Sequence, residues 1–124
     1  MKKIKIPQSL RNWFTIHFIV DLVFGLPLFI VPREFLMIFG IQAEPFTARL
    51  LGAAILGIGF SSYFMTTEIK EFKLALKRKI LWSSAAIIGI LITILEGGSS
   101  IGWVLIIIFV IFFIIWTYYN KILE

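Results

Sequence analysis

His17, Asp21 and Gly25 recur at every fourth residue within an otherwise apolar stretch. On a helix that spacing places them on one face. An imidazole and a carboxyl one turn apart can share a proton or hold a cation, and histidine changes charge near neutral pH. A hydroxyl, Ser61, lies in a later apolar stretch together with Ala53 and Gly57, again at intervals of four. Small residues at that spacing let two helix backbones approach closely. If the two stretches cross a bilayer in opposite directions, depth matching sets Gly57 opposite Asp21, Ser61 near His17 and Ala53 near Gly25. The two stripes are expected to pack together.

Asp21 sits eight residues past Trp13, roughly 12 Å into the hydrocarbon at helical rise. Insertion scales put an Asp at a bilayer centre at about 2.5–3.5 kcal/mol, and its side chain is too short to reach the surface. It must face protein or trapped water. Three roles stay open. A protonated carboxyl would bond Ser61 or a backbone carbonyl and hold the helices together. A proton or cation site would exchange charge with His17 during transport. An interaction site would pair with a charge on another protein or a second copy of the chain. Arg49 and Glu96 both fall near the outer ends of their stretches, where they either form an interfacial ion pair or each reach water.

Other chemistry has no residues to carry it. The chain has no cysteine and one histidine, so disulfides, thiolate chemistry and multi-histidine metal centres are excluded. Gly57-Ile58-Gly59 is not a phosphate loop, because no strand precedes it and no Lys-Ser/Thr follows. Ser61 and Ser62 have no base oriented by an acid. No catalytic residue, metal or cofactor is expected, and the chain is not expected to be an enzyme.

The elements that position these residues follow from composition. Of 124 residues, 60% are hydrophobic, more than a soluble chain of this length can hide. Four spans are predicted, at about 13–31, 46–65, 80–95 and 101–119, forming a single integral membrane domain over 1–124. The fold class is all-α, a four-helix transmembrane bundle. The Lys-rich start lacks a small-x-small cleavage site, so the first span is expected to stay in the mature protein. Pro32 ends that span, and Pro27 is expected to kink it. Residues 32–45 then read either as a brief helix in the outer interface, stopped by Gly40, or as a loop over the mouth of the bundle. A cytoplasmic loop from Thr66 to Lys79, able to extend the helices on either side, reads as a solvated basic face. Gly97-Gly98-Ser99-Ser100 is a tight turn joining the last two spans.

Charge fixes the expected orientation. Lys2, Lys3, Lys5, Arg11, Lys70, Lys73, Lys77, Arg78, Lys79 and Lys121 fall on one side of these spans, and only Arg33 and Arg49 on the other. Basic residues near span ends stay cytoplasmic, so both termini are expected inside, in the cell membrane. Trp13, Tyr63, Trp82, Trp116, Tyr118 and Tyr119 cluster at the inner interface, and Trp103 at the outer one. The net charge of +5 suits anionic headgroups rather than nucleic acid.

The run from Asp21-Leu22-Val23-Phe24-Gly25-Leu26-Pro27-Leu28-Phe29 through Pro32 and Phe39-Gly40, and then from Arg49-Leu50-Leu51-Gly52-Ala53-Ala54 to Gly59, resembles a loose group of small four-span prokaryotic membrane proteins of uncharacterised activity. The resemblance covers the first half of the chain. It implies the four-helix topology and no activity. In length, span number and an acid in the first span, the chain is also similar to the small multidrug exporters. The strong Lys/Arg asymmetry speaks against their dual topology, and the external segment before Phe46 is longer than theirs. The functional expectation is a non-catalytic accessory or interaction subunit, partnered by lipid and by a second copy or another membrane protein. The alternative is a small oligomeric proton-coupled transporter using Asp21 and His17.

Overall fold

The computed structural model describes residues 5–64 and 68–124. Among the described residues there are five α-helices and no strand. They are α1 (Gln8–Ile30), α2 (Pro32–Ile38), α3 (Pro45–Tyr63), α4 (Ile69–Leu95) and α5 (Gly102–Ile122). All but α2 are long and apolar enough to cross a membrane. The shortest of the four, α3, has 19 residues. That is about 28 Å at helical rise, close to the hydrocarbon thickness of a bilayer. Lys2, Lys3, Met65 and Thr66, which belong to the expected basic lead, second span and loop, lie outside the described residues.

Local chemistry sets the boundaries. Pro32 has no N–H to continue α1, and the residue before it, Val31, sits at φ −131°. Pro32 instead opens α2 at its first position, where a missing donor costs nothing. Gly40 ends α2 with φ +69°, and the Ile41 N–H returns to the Leu36 carbonyl at 3.0 Å. Gly97 ends α4 in the same way, at φ +91°, with the Gly98 N–H on the Thr93 carbonyl at 2.9 Å. Both are Schellman closures, which need a left-handed residue just past the helix. At α3 the start is an acid followed by proline. The Glu44 carboxylate accepts the Phe46 and Thr47 N–H groups at 2.9 Å each, and Pro45 occupies the first turn.

Helix α4 is much longer than its predicted apolar core, because the basic segment from Ile69 to Lys79 is helical and continuous with it. The segment is amphipathic. Phe72, Leu76, Lys79 and Ser83 are its buried positions, spaced so that they share one face.

The helices gather into two compact units, one of α1, α2 and α3, the other of α4 and α5. In the first, α1 and α3 pack antiparallel. Asp21 meets Gly59, Gly25 meets Ile55 and Leu56, and Leu28 and Phe29 meet Gly52. Helix α2 lies against α1 through an edge-on contact of Phe35 with Phe24, ring centres 6.2 Å apart. In the second, Trp82 of α4 meets Phe109 of α5 edge-on at 6.5 Å.

Candidate functional site

The buried face of α1 is Leu10, Phe14, His17, Asp21, Gly25 and Leu28. The helical spacing that placed the polar residues on one side therefore also turns them away from the surface. His17 is 4% and Asp21 7% exposed. His17 Nδ1 lies 3.5 Å from Asp21 Oδ2, within reach of an ion pair and longer than a well-formed N–H···O bond.

Gly59 of α3 faces Asp21. A Cβ added at Gly59 would lie 2.8 Å from the Asp21 Cβ and 3.4 Å from its Oδ2. Two turns along, a Cβ at Gly52 would lie 2.9 Å from the Phe29 nitrogen and 3.0 Å from the Gly25 carbonyl oxygen. Gly52 and Gly59 are seven apart, so both fall on one face of α3, with Ala48 and Ser62 buried beside them.

That face is turned from the expected one. Of the residues singled out for helix packing, Gly25 is in the seam, whereas Gly57 has nothing within 4 Å and Ala53 is exposed. Ser61 is exposed too and donates its hydroxyl to the Ile58 carbonyl at 2.7 Å. The buried hydroxyl is its neighbour Ser62. The physical reason is that Gly59 stands two residues from Gly57, about 200° around the helix. Gly52 and Gly59 offer bare backbone where the Ala53 methyl would hold α1 off.

Arg49 is engaged within its own unit. Its Nε donates to the Phe29 carbonyl at 3.2 Å. That carbonyl belongs to the last turn of α1, where acceptors lack helical partners, so Arg49 caps α1 from across the seam. Glu96 is the C-cap residue of α4 in the other unit. At the start of α3, Glu44 has its carboxyl held below the usual carboxylate range, chiefly by the Phe46 and Thr47 N–H groups, with Arg33 adding a smaller pull.

In the unit of α4 and α5, Lys79 is 4% exposed, and its Nζ lies 5.0 Å from the centre of the Trp116 ring. Trp116 in turn stacks on Phe112 at 5.7 Å. A desolvated ammonium over an indole face is held by the ring quadrupole. Lys79 was expected among the solvated basic residues; the helix instead carries it onto the buried face. The signal was present as Phe72, Leu76, Lys79 and Ser83, at intervals of four, three and four. Trp116 and Tyr119, expected at an interface, are buried.

Among the described residues no group of three or more His, Cys, Asp or Glu could hold a metal ion. Fold and site together suggest a multi-pass helical membrane protein with a buried His–Asp pair in one unit and a buried lysine in the other. No known protein family, curated protein or solved structure matches the chain.

Proposed function

We propose that this is a four-span protein of the cell membrane, packed as one bundle with both termini cytoplasmic, and that it serves as a non-catalytic accessory or interaction subunit. The orientation rests on the distribution of Lys and Arg, ten of which fall on one side of the spans and two, Arg33 and Arg49, on the other. The non-catalytic role rests on the tightness of the seam at Asp21, where a single added carbon on Gly59 would come within 2.8 Å of the Asp21 Cβ. An acidic residue packed this closely against a glycine of the neighbouring helix suits a group that locks helix rotation. Anionic headgroups and a second copy or another membrane protein are the partners such a chain would meet.

The test is reconstitution into liposomes with Asp21→Asn as the comparison. The wild-type protein should pass no more protons than empty vesicles, and Asp21→Asn should lower the folded yield in detergent. Proton flux that disappears in Asp21→Asn would replace this reading.

A second reading is favoured by the 3.5 Å contact of His17 with Asp21. In it, a small oligomeric carrier moves protons through the pair. It requires substrate uptake driven by a pH gradient and lost in both Asp21→Asn and His17→Gln.

A further inference from the structure

The second turn of α2 carries an exposed apolar pair. Met37 is 70% and Ile38 77% exposed, while Phe35 and Leu36 of the same helix and its C-cap Phe39 are partly covered. The exposed side of α2 thus changes from charged at Arg33 and Glu34 to apolar one turn later.

The depth of this pair is fixed by its neighbours. Phe24, which meets Phe35, lies six residues before the end of α1, about 9 Å inside that end along the helix. Helix α2 therefore folds back along α1 instead of projecting away from it. Its 7 residues span only about 10 Å, and Val31 alone joins it to α1, so it stays within about 10 Å of the level at which α1 ends. That reach covers the zone between hydrocarbon and bulk water, about 5–7 Å thick on each side of a bilayer, and the outer edge of the hydrocarbon itself. Phe29 and Ile30 at the end of α1, and Phe46 and Leu50 at the start of α3, are likewise exposed. They belong to helices long enough to span, so the ends of α1 and α3 on this side of the unit also carry uncovered apolar side chains.

We infer that Met37 and Ile38 are a membrane anchor, inserted among the acyl chains of the outer leaflet while Arg33 and Glu34 stay at headgroup level. This inference rests on the four-span, N-in reading above. A segment packed down onto its own unit would cover the same two side chains with α1 or α3; here neither helix covers them, and lipid is the occupant their position near the end of α1 selects.

The chain has no cysteine, so single nitroxide labels are unique. Met37→Cys, Ile38→Cys, Gln42→Cys and Ile107→Cys are labelled in the full-length protein and reconstituted into vesicles of phosphatidylethanolamine and phosphatidylglycerol. Collision with oxygen, which enriches in lipid, is compared with collision with a water-soluble nickel chelate. The ratio of oxygen to nickel collisions at 37 and 38 should be severalfold above that at Gln42, and nearer to the value at Ile107, about 8 Å inside the start of α5. Labels at 37 and 38 as open to nickel as Gln42, with Ile107 still in lipid, would overturn the anchor and leave the spans standing. Labels at 37 and 38 shielded from both reagents would mean that protein covers the pair, which also overturns it. An Ile107 label open to nickel would instead show that the four-span reading itself had failed.

Discussion

Gly52→Ala and Gly57→Ala, one and a half turns apart on α3, should move stability in opposite directions. A Cβ at position 52 would lie 2.9 Å from the Phe29 nitrogen and 3.0 Å from the Gly25 carbonyl oxygen. Both neighbours are backbone, so no rotamer change relieves the contact, and α1 must move away from α3. Overfilling a packed seam costs about 1–3 kcal/mol. Replacing a helical glycine by alanine returns about 0.8–1 kcal/mol through propensity. The net expectation for Gly52→Ala is a loss of up to about 2 kcal/mol. At position 57 nothing lies within 4 Å, so only the propensity part remains and Gly57→Ala should gain up to about 1 kcal/mol. Reversible unfolding in mixed micelles, followed by helicity or by steric trapping, reads the two midpoints against wild type. Equal damage from both substitutions, or greater damage at 57, would refute the seam described here and return the contact to the Ala53–Gly57–Ser61 face.

Three further outcomes follow from single contacts. Glu44 binds the first N–H groups of α3 in its charged form, which depresses its folded pKa. Its stabilisation is therefore complete above the ordinary value of 4.5 and is lost as pH falls through the lower folded value. Glu44→Ala should be less stable than wild type at neutral pH, and a pH series of melting curves should show the gap closing in acid. Arg49→Ala removes the donor to the Phe29 carbonyl and should cost about 1 kcal/mol in the same unfolding assay, with Arg49→Lys recovering only part of it. Lys79→Gln should lose more than about 1 kcal/mol with its buried cation–π contact, while the exposed Lys77→Gln stays within about 0.5 kcal/mol.

The helices were legible because each boundary carries its own chemistry. Apolar runs of span length, Pro32 after Val31, and glycines at 40 and 97 are local signals that read the same way in any context. The face that α3 turns to α1 was not legible. Glycines at 52, 57 and 59 allow two faces about 200° apart, and spacing alone does not say which backbone a neighbour will approach. Depth matching depended on the assumed span ends, and it placed Gly57 rather than Gly59 opposite Asp21. Lys79 was missed for a different reason. A cluster of five basic residues reads as one solvated surface, yet a helix separates adjacent residues by about 100° and sends one of them inward. Glu44 was missed because its role depends on the geometry of the Glu-Pro start rather than on a favoured capping type.

What gives the packing its specificity can be narrowed further. Thr15, Ser61, Ser84 and Thr93 each donate to a carbonyl of their own helix, three or four residues back. Such bonds satisfy the hydroxyl without calling on a neighbour, so they say little about which helix packs where. Close glycine contacts do say so, but a rotated helix would lose only part of that packing. Charge is less forgiving. Turning α1 by one position, about 100°, would carry Asp21 from the seam toward lipid, where an acid costs about 2.5–3.5 kcal/mol on insertion scales. Turning α4 would do the same to Lys79. Buried ionisable groups can thus be retained because they fix a helix's rotation, whether or not they move charge. This is why burial of His17, Asp21 and Lys79 alone does not favour transport, and why the choice between a subunit and a carrier falls to proton flux rather than to the presence of the pair.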